Sequence, residues 1–271
     1  MSKILCLSIS VVLLFALLLS GTAFAQDTNA AILFGYLNVN AVGDPPKTLA
    51  DVVMIPAGYT NIKTVSTVAD FIAELPNIAN YDVLIFSYHS FSANAEAQAW
   101  LPVGLAYIEA WVKSGGILLT TIGRDAQELP LAEVFGLKVS NPGTGTEAIV
   151  PVKPPFDKDI AGSQLDASSS ADNTPQNGEV YDDPLPSWAI VVTTNLAGLT
   201  TSVAGRYGSG AIWAGAGFEV TNVGAGTDPD QSTFTGFKQL WKNMLDWATT
   251  APSAVAPDGK ASLTWGAIKN R

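Results

Sequence analysis

The fold is decided by two stretches, YDVLIFSYH at residues 81–89 and YIEAWVKSGGILLTTI at residues 107–122. The apolar runs VLIF in the first and ILLTTI in the second show no alternation, which predicts strands buried on both faces. Ahead of the second run, the apolar residues of YIEAWV fall on one face of a helix. The glycine pair that follows suits the left-handed C-cap of that helix. Strand, helix and strand in this order predict an α/β fold, a parallel sheet with helices on both faces.

Elements nearer the N-terminus extend the same pattern. We predict a strand, a short helix, a second strand and one or two helical turns stopped by Pro76, at residues 30–39, 48–54, 60–65 and 68–75. The helix of the central unit is predicted to start near Pro102, because proline is tolerated in a first helical turn. The helix after it, at residues 126–135, is predicted to be interrupted by Pro130.

Later in the chain the pattern changes to a hairpin and a helix. WAIVVTT at 188–194 predicts a further strand, and RYGSG at 206–210 is a glycine-rich turn between two apolar runs, which predicts a late β-hairpin. Six apolar residues then recur at helical spacing and predict an amphipathic C-terminal helix: Phe237, Leu240, Trp241, Met244, Leu245 and Ala248. We predict one domain over residues 26–250, followed by a linker and tail at 251–271.

Composition and charge exclude two classes of protein. Hydrophobic residues make up 48% of the chain and charged residues 14%, which excludes an intrinsically disordered protein. The chain has 14 Lys and Arg against 24 Asp and Glu, for a net charge of -10. So few cations cannot form the basic surface that nucleic-acid binding requires, so no nucleic-acid partner is expected.

Residues 1–25 have the three parts of a secretory signal peptide. Lys3 gives the positive start, Ile9–Leu19 the apolar run, and Ala23–Ala25 the A-x-A cleavage site. The run is shorter than the roughly 20 apolar residues of a membrane-spanning helix. We therefore expect export to the periplasm, cell surface or medium, with no transmembrane segment after cleavage. Cleavage also removes Cys6, the single cysteine, so the mature chain has no disulfide, thiolate metal site or cysteine nucleophile.

The stretch from Asn141 to Ser187 carries few signals of regular structure and many carboxylates. So long an irregular segment is typical of a functional or mobile loop, and we predict that it is the most mobile internal segment and lies beside the strand ends. Its carboxylates invite a calcium site, as do the D-x-D pairs at 157–159 and 228–230. Neither pair continues into an EF-hand loop, so we favour solvated loops and predict no metal and no cofactor.

Several sequence segments of the chain resemble the class I glutamine amidotransferase-like superfamily, and within it the ThuA-like and related branches that are not amidotransferases. They are YDVLIFSYH at 81–89, YIEAWVKSGGILLTT at 107–121, LPLAEVFGLKV at 129–139, VAGRYGSGAIWAGAGFE at 203–219 and FKQLWKNMLDWA at 237–248. The resemblance spans most of residues 30–249 and implies a flavodoxin-like fold. The resemblance lies in segments predicted to form strands and turns, and not in a catalytic sequence motif.

The departures from that family bear directly on activity. Amidotransferases of this type carry a G-x-C-x-G elbow and a late His-x-Glu, but here the matching strand ends in Thr120 and Thr121 where the cysteine is expected. Glu219 matches the end of the His-x-Glu segment without a histidine before it, and His89 is the single histidine of the chain. A Cys-His-Glu triad cannot be built, which excludes amidotransferase activity, and we assign no catalytic residue.

Ligands of open α/β sheets bind outside the carboxyl ends of the strands. That rule predicts a ligand-binding crevice formed by residues from three strand ends, namely Tyr88, His89, Thr121, Arg124, Asp125, Glu219 and Asn222. His89 could act as a base or metal ligand, although we favour a hydrogen-bonded structural histidine. Arg124 could clamp an anionic or hydroxyl-rich ligand or pair locally with Asp125. Thr121 would need an activating base to act as a nucleophile.

Two functions are consistent with these features. The first is an exported, non-catalytic binding or interaction protein, with a carbohydrate or a cell-surface protein as partner. The alternative is a ThuA-like carbohydrate-processing enzyme or hydrolase that uses the same crevice. The tail KASLTWGAIKNR at 260–271 fits either a terminal strand that packs on the domain or a recognition element for a surface partner.

Overall fold

The computed structural model describes residues 28–35, 50–87, 95–122, 129–140, 150–151, 154–160, 179–195, 197–216 and 235–250. Within these ranges ten strands form one sheet: β1 Ile32–Gly35, β2 Ile62–Val65, β3 Val83–Ser87, β4 Ile117–Ile122, β5 Val139–Ser140, β6 Val150–Pro151, β7 Val180–Tyr181, β8 Ile190–Thr194, β9 Thr200–Tyr207 and β10 Gly210–Ala216. The α-helices are α1 Val68–Glu74, α2 Ala95–Lys113, α3 Leu129–Val134 and α4 Thr235–Thr250, with a π-helical turn Ala50–Met54 and a 3-10 helix Leu75–Asn80.

Five strands form the parallel part of the sheet, in the order β2-β1-β3-β4-β10. This is the order 2-1-3-4-5 of flavodoxin-like folds. The strands start level with one another, since Ile32 pairs with Val83, Val83 with Ile117, and Ile117 with Ala211. The predicted α/β class with a parallel sheet is confirmed.

Beyond β10 the sheet continues with antiparallel strands. β9 pairs with β10 through the predicted late hairpin, whose two-residue turn has Gly208 at a φ of 64°. Hairpins of this length need a positive φ in the turn, which glycine adopts without strain. β7 and then β5 follow β9, while β8 pairs with both β9 and β6.

Each face of the sheet has its own hydrophobic core, as alternation along the strands requires. On one face, Leu84 and Leu118 belong to a cluster with Phe71 of α1 and Trp111 of α2. On the other face, the alternate strand residues pack with the π-helical turn and with α4, whose Trp241 ring lies 5.2 Å from that of Trp213. Helices therefore cover both faces, and α4 is the predicted C-terminal amphipathic helix.

Two predicted proline effects were wrong and one was right. Helix α2 starts at Ala95 and runs through Pro102, because the preceding AEAQAWL contains strong helix formers that extend the helix backwards. Pro130 lies in the first turn of α3 rather than interrupting it. The expected stop at Pro76 is confirmed, since α1 ends at Glu74 and Pro76 lies in the first turn of the 3-10 helix that follows.

The segment 141–187 contains more structure than predicted. It holds the short strands β6 and β7, and three of its apolar side chains are buried: Phe156, Val180 and Tyr181. Phe156 packs into the core beside α4. Residues 161–178, the predicted signal peptide and the tail lie outside the described residues. In the part of the chain that is described, no helix is long and apolar enough to span a membrane.

Candidate functional site

The carboxyl ends of the parallel strands lie side by side at one edge of the sheet. Gly35 of β1 pairs with Phe86, Ser87 of β3 with Thr121, and Thr121 of β4 with Gly215 of β10. The order reverses between β1 and β3, which makes this edge the topological switch point where ligands bind in open α/β sheets. We call it the carboxyl edge.

The sequence-predicted site residues relate to this edge in two ways. Thr121 is described, and its residue is 2% exposed within β4. The other six lie outside the described residues, following β3, β4 and β10 in the sequence: Tyr88, His89, Arg124, Asp125, Glu219 and Asn222. The strands that precede them end next to one another, while the convergence of their side chains stays a prediction.

The two threonines of β4 are sealed into the sheet. Thr120 is fully buried, and its hydroxyl donates to the Phe86 carbonyl at 2.9 Å. Thr121, at 2% exposure, is out of contact with solvent in this conformation. A nucleophile must be accessible to its substrate and hydrogen-bonded to a base. The end of β4 therefore offers buried hydroxyls where a reactive group would have to be exposed.

Sequence reasoning missed a buried hydroxyl cluster at the same edge. Because β9 runs antiparallel to β10, its first residues lie at the carboxyl edge, where Ser202 pairs with Gly215. Thr193 of β8 pairs with Ser202, its Oγ1 lying 2.5 Å from Ser202 Oγ and 2.8 Å from Thr201 Oγ1. All three residues are fully buried. Thr121, Gly215, Ser202 and Thr193 thus form one cross-strand row of small side chains.

Two polar groups near this row keep an unused hydrogen-bonding position. The Asn195 Oδ1 accepts from the amides of Ala197 (3.0 Å) and Leu199 (2.9 Å) and shapes the β8–β9 loop. Its Nδ2 and the Tyr181 hydroxyl are buried and have no hydrogen-bond partner within the described ranges. Burial raises the pKa of Tyr181, so the group remains a neutral donor. Unsatisfied buried donors are uncommon and often belong to sites that a ligand or water completes.

The described carboxylates do not assemble into a metal site. Among the residues described, no three His, Cys, Asp or Glu side chains lie close enough to hold an ion. Asp157 and Asp159, the first D-x-D pair, lie in a turn in which Asp159 is exposed and has a φ of 58°. The second pair, at 228–230, lies outside the described residues.

A charged cluster lies at the opposite edge of the sheet, where β9 ends. The Tyr207 hydroxyl donates to Glu109 Oε1 at 2.6 Å, and Lys113 Nζ lies 2.7 Å from the same oxygen. Burial alone would raise the pKa of Glu109, but the hydrogen bonds from Lys113 and Tyr207 outweigh it and hold that pKa below the ordinary value. Burial and the Glu109 charge raise the pKa of Tyr207. The cluster joins α2 to the hairpin and is structural.

Comparison with known proteins shows the fold alone. No protein-family model matches the chain, and no curated protein is significantly similar to it. Among solved structures, it is similar to the cytoplasmic protein STM3548 from Salmonella typhimurium, with a TM-score of 0.51 and 16% identity over 81% of this chain and 98% of that one. It is also similar to the mmIFT52 N-terminal domain, with a TM-score of 0.50 and 12% identity over 82% of this chain and 99% of that domain.

Proposed function

We propose that this chain is an exported, non-catalytic binding protein that engages its ligand at the carboxyl edge of the sheet. The observation that carries the proposal is the engagement of the Thr120 hydroxyl, which donates to the Phe86 carbonyl at 2.9 Å, at the strand end where the family that the sequence resembles carries its cysteine. Thr121 beside it is 2% exposed. Because these strand-end hydroxyls are buried within the sheet, they are not available as nucleophiles, which supports a binding function rather than covalent catalysis.

A hydroxyl-rich ligand suits the residues that follow the strands of this edge in the sequence. The residues that follow β4 and β10 in the sequence include Arg124, Asp125, Glu219 and Asn222. Amides, guanidinium groups and carboxylates together match the donors and acceptors of a sugar. We therefore favour a carbohydrate, free or carried by a cell-surface protein, as the partner.

A glycan array followed by thermal unfolding of residues 26–271 tests this function. At a ligand concentration of about 100 times Kd, binding adds about 2.7 kcal/mol of stability, which raises the Tm of a domain of this size by roughly 5–10 °C. Arg124→Ala and Glu219→Gln should remove that shift. Lys138→Ala, an exposed change beside β5, should leave it intact.

The same ligands, incubated with the protein and analysed for products, separate binding from catalysis. The ThuA-like enzyme or hydrolase is supported instead if a glycan is converted and if the rate falls in both His89→Ala and Glu219→Gln. General acid–base groups typically contribute a factor of about 10² to 10⁴ in rate. Conversion that depends on these residues would contradict the non-catalytic function.

A further inference from the structure

A groove lies beside β2, the edge strand of the sheet within the described residues, and away from the carboxyl-edge site. It has a volume of about 520 Å³ and is lined by Ala50, Asp51, Ile55, Tyr59, Thr60, Ile62 and Thr64. Ile55 on its wall is 57% exposed, a large apolar side chain in contact with solvent. Such a surface next to a sheet edge is where an extended segment can bind.

The backbone of β2 is oriented to accept another strand. The Asn61 carbonyl accepts from the Ile32 amide of β1 at 2.9 Å. In a parallel pair, alternate residues turn their backbone groups to opposite sides. Ile62 and Thr64 therefore direct their backbone groups away from β1, and the same two residues line the groove.

The C-terminal end of α4 lies against this groove. The Tyr59 hydroxyl, from the groove wall, is 3.0 Å from Thr249 Oγ1. Because Thr249 donates to the Leu245 carbonyl at 2.9 Å, Tyr59 is the donor of this bond. Helix α4 ends one residue later, at Thr250. Whatever follows Thr250 in the chain starts beside the groove.

The sequence after Thr250 fits a strand that returns to this edge. Residues 251–260 contain three prolines or glycines and span at most about 36 Å when fully extended. In ASLTWGA at 261–267, apolar or small residues alternate with polar ones or glycine, with Leu263 and Trp265 on the same face. The tail also carries Lys260, Lys269 and Arg271, which complement Asp51 in the groove.

We propose that residues 261–267 of this same chain add to the sheet as a strand beside β2. Leu263 and Trp265 cover the groove and the exposed Ile55, while the backbone bonds to Ile62 and Thr64. The tail then protects the β2 edge from pairing with other chains. This inference is independent of the carboxyl-edge site.

Cysteine cross-linking tests the proposal directly, since Cys6 is the single cysteine of the chain. In a Cys6→Ser background, Thr64→Cys is combined with Ala267→Cys, which keeps Leu263 and Trp265. A short bismaleimide is added to dilute protein, and the products are identified by gel mobility and peptide mass spectrometry. The matched control combines Ala267→Cys with Lys138→Cys, an exposed position beside β5, which lies at the other end of the described strand order from β2.

We expect about tenfold more intramolecular cross-link in the Thr64 pair than in the Lys138 pair, the ratio that a docking preference of 1.4 kcal/mol gives. Adding Leu263→Ser and Trp265→Ser to the Thr64 pair should lower the cross-link to the control level without changing the circular dichroism of the domain. Equal cross-linking in the two pairs, or no effect of the serine changes, overturns the proposal. A product that is mainly a covalent dimer also overturns it and assigns the groove to the tail of a second copy.

Discussion

At the scale of single residues, Gly205 of β9 has no room for a side chain. A Cβ built there would lie 1.8 Å from the Trp188 carbonyl oxygen, a backbone atom that cannot rotate away. We expect Gly205→Ala to lower the free energy of unfolding by about 3 kcal/mol, since the backbone must shift to relieve the overlap. Urea denaturation of the variant and the parent measures this difference.

Gly198 is the matched control, because a Cβ there meets no heavy atom within 4 Å but the residue has a φ of 80°. Gly198→Ala should therefore cost only the left-handed backbone strain, about 1 kcal/mol. Equal losses in the two variants would mean that β9 does not pack against the Trp188 backbone as described.

The Glu109 cluster gives the stability of the protein a defined dependence on pH. Tyr207→Phe keeps the ring between Phe135 and Trp188 but removes the hydroxyl that donates to Glu109. We expect a loss of about 1 kcal/mol at pH 7. The hydrogen bonds from Lys113 and Tyr207 hold the pKa of Glu109 below its ordinary value, so the contribution of its charged form is present above that ordinary value and is lost as the pH falls through the lowered pKa. The difference between variant and parent should therefore shrink in acid.

Urea unfolding at several pH values between 3 and 7 measures that trend. Tyr107→Phe is the control, because its hydroxyl donates to the uncharged Pro76 carbonyl at 3.3 Å. The cost of this second change should not depend on protonation of a carboxylate. A Tyr207→Phe cost that stays constant down to pH 3 would contradict a charge-assisted bond to Glu109.

At the scale of elements, the turn at residues 154–160 is anchored to α4. Phe156 is fully buried, with its ring 5.4 Å from that of Trp247. Asn243 of α4 donates to the carbonyls of Phe156 (2.9 Å) and Lys158 (2.7 Å). Phe156→Ala should lower the free energy of unfolding by about 4 kcal/mol, whereas Asp157→Ala should change it by less than about 0.5 kcal/mol. A small effect of Phe156→Ala would show that the turn is loosely held.

The parallel part of the sheet could be predicted from sequence because its strands are local and strongly apolar. The composition of VLIF and ILLTTI alone indicates that these strands are buried on both faces. Segment 154–160 could not be predicted in this way, because what fixes it is the distant Asn243 and the core beside α4. The start of α2 was also predicted wrongly from a proline, because the helix formers before Pro102 extend this helix to Ala95.

The carboxyl edge shows the same division between local and distant information. Its place follows from strand order, so the sequence led to residues after β3, β4 and β10. The buried hydroxyl cluster depends on the register of β8 on β9, which places Thr193 opposite Ser202. The pairing of β8 with β9 is irregular on either side of Thr193. The sequence VVTTN at 191–195 lacks the alternation of apolar and polar residues that would predict this register.

At the scale of the whole molecule, export and folding should not depend on disulfide bonds. The predicted cleavage after Ala25 would remove Cys6, the single cysteine, so we expect the stability of the mature chain to rest on the two cores that cover the faces of the sheet. We expect the exported protein to start at Gln26, as measured by intact mass. It should unfold at the same Tm with and without dithiothreitol, and at the same Tm as residues 26–271 produced in the cytosol. Ala25→Leu should block cleavage, because the site requires a small residue. An exported chain that keeps residues 1–25, or a Tm that falls in reductant, would contradict this prediction.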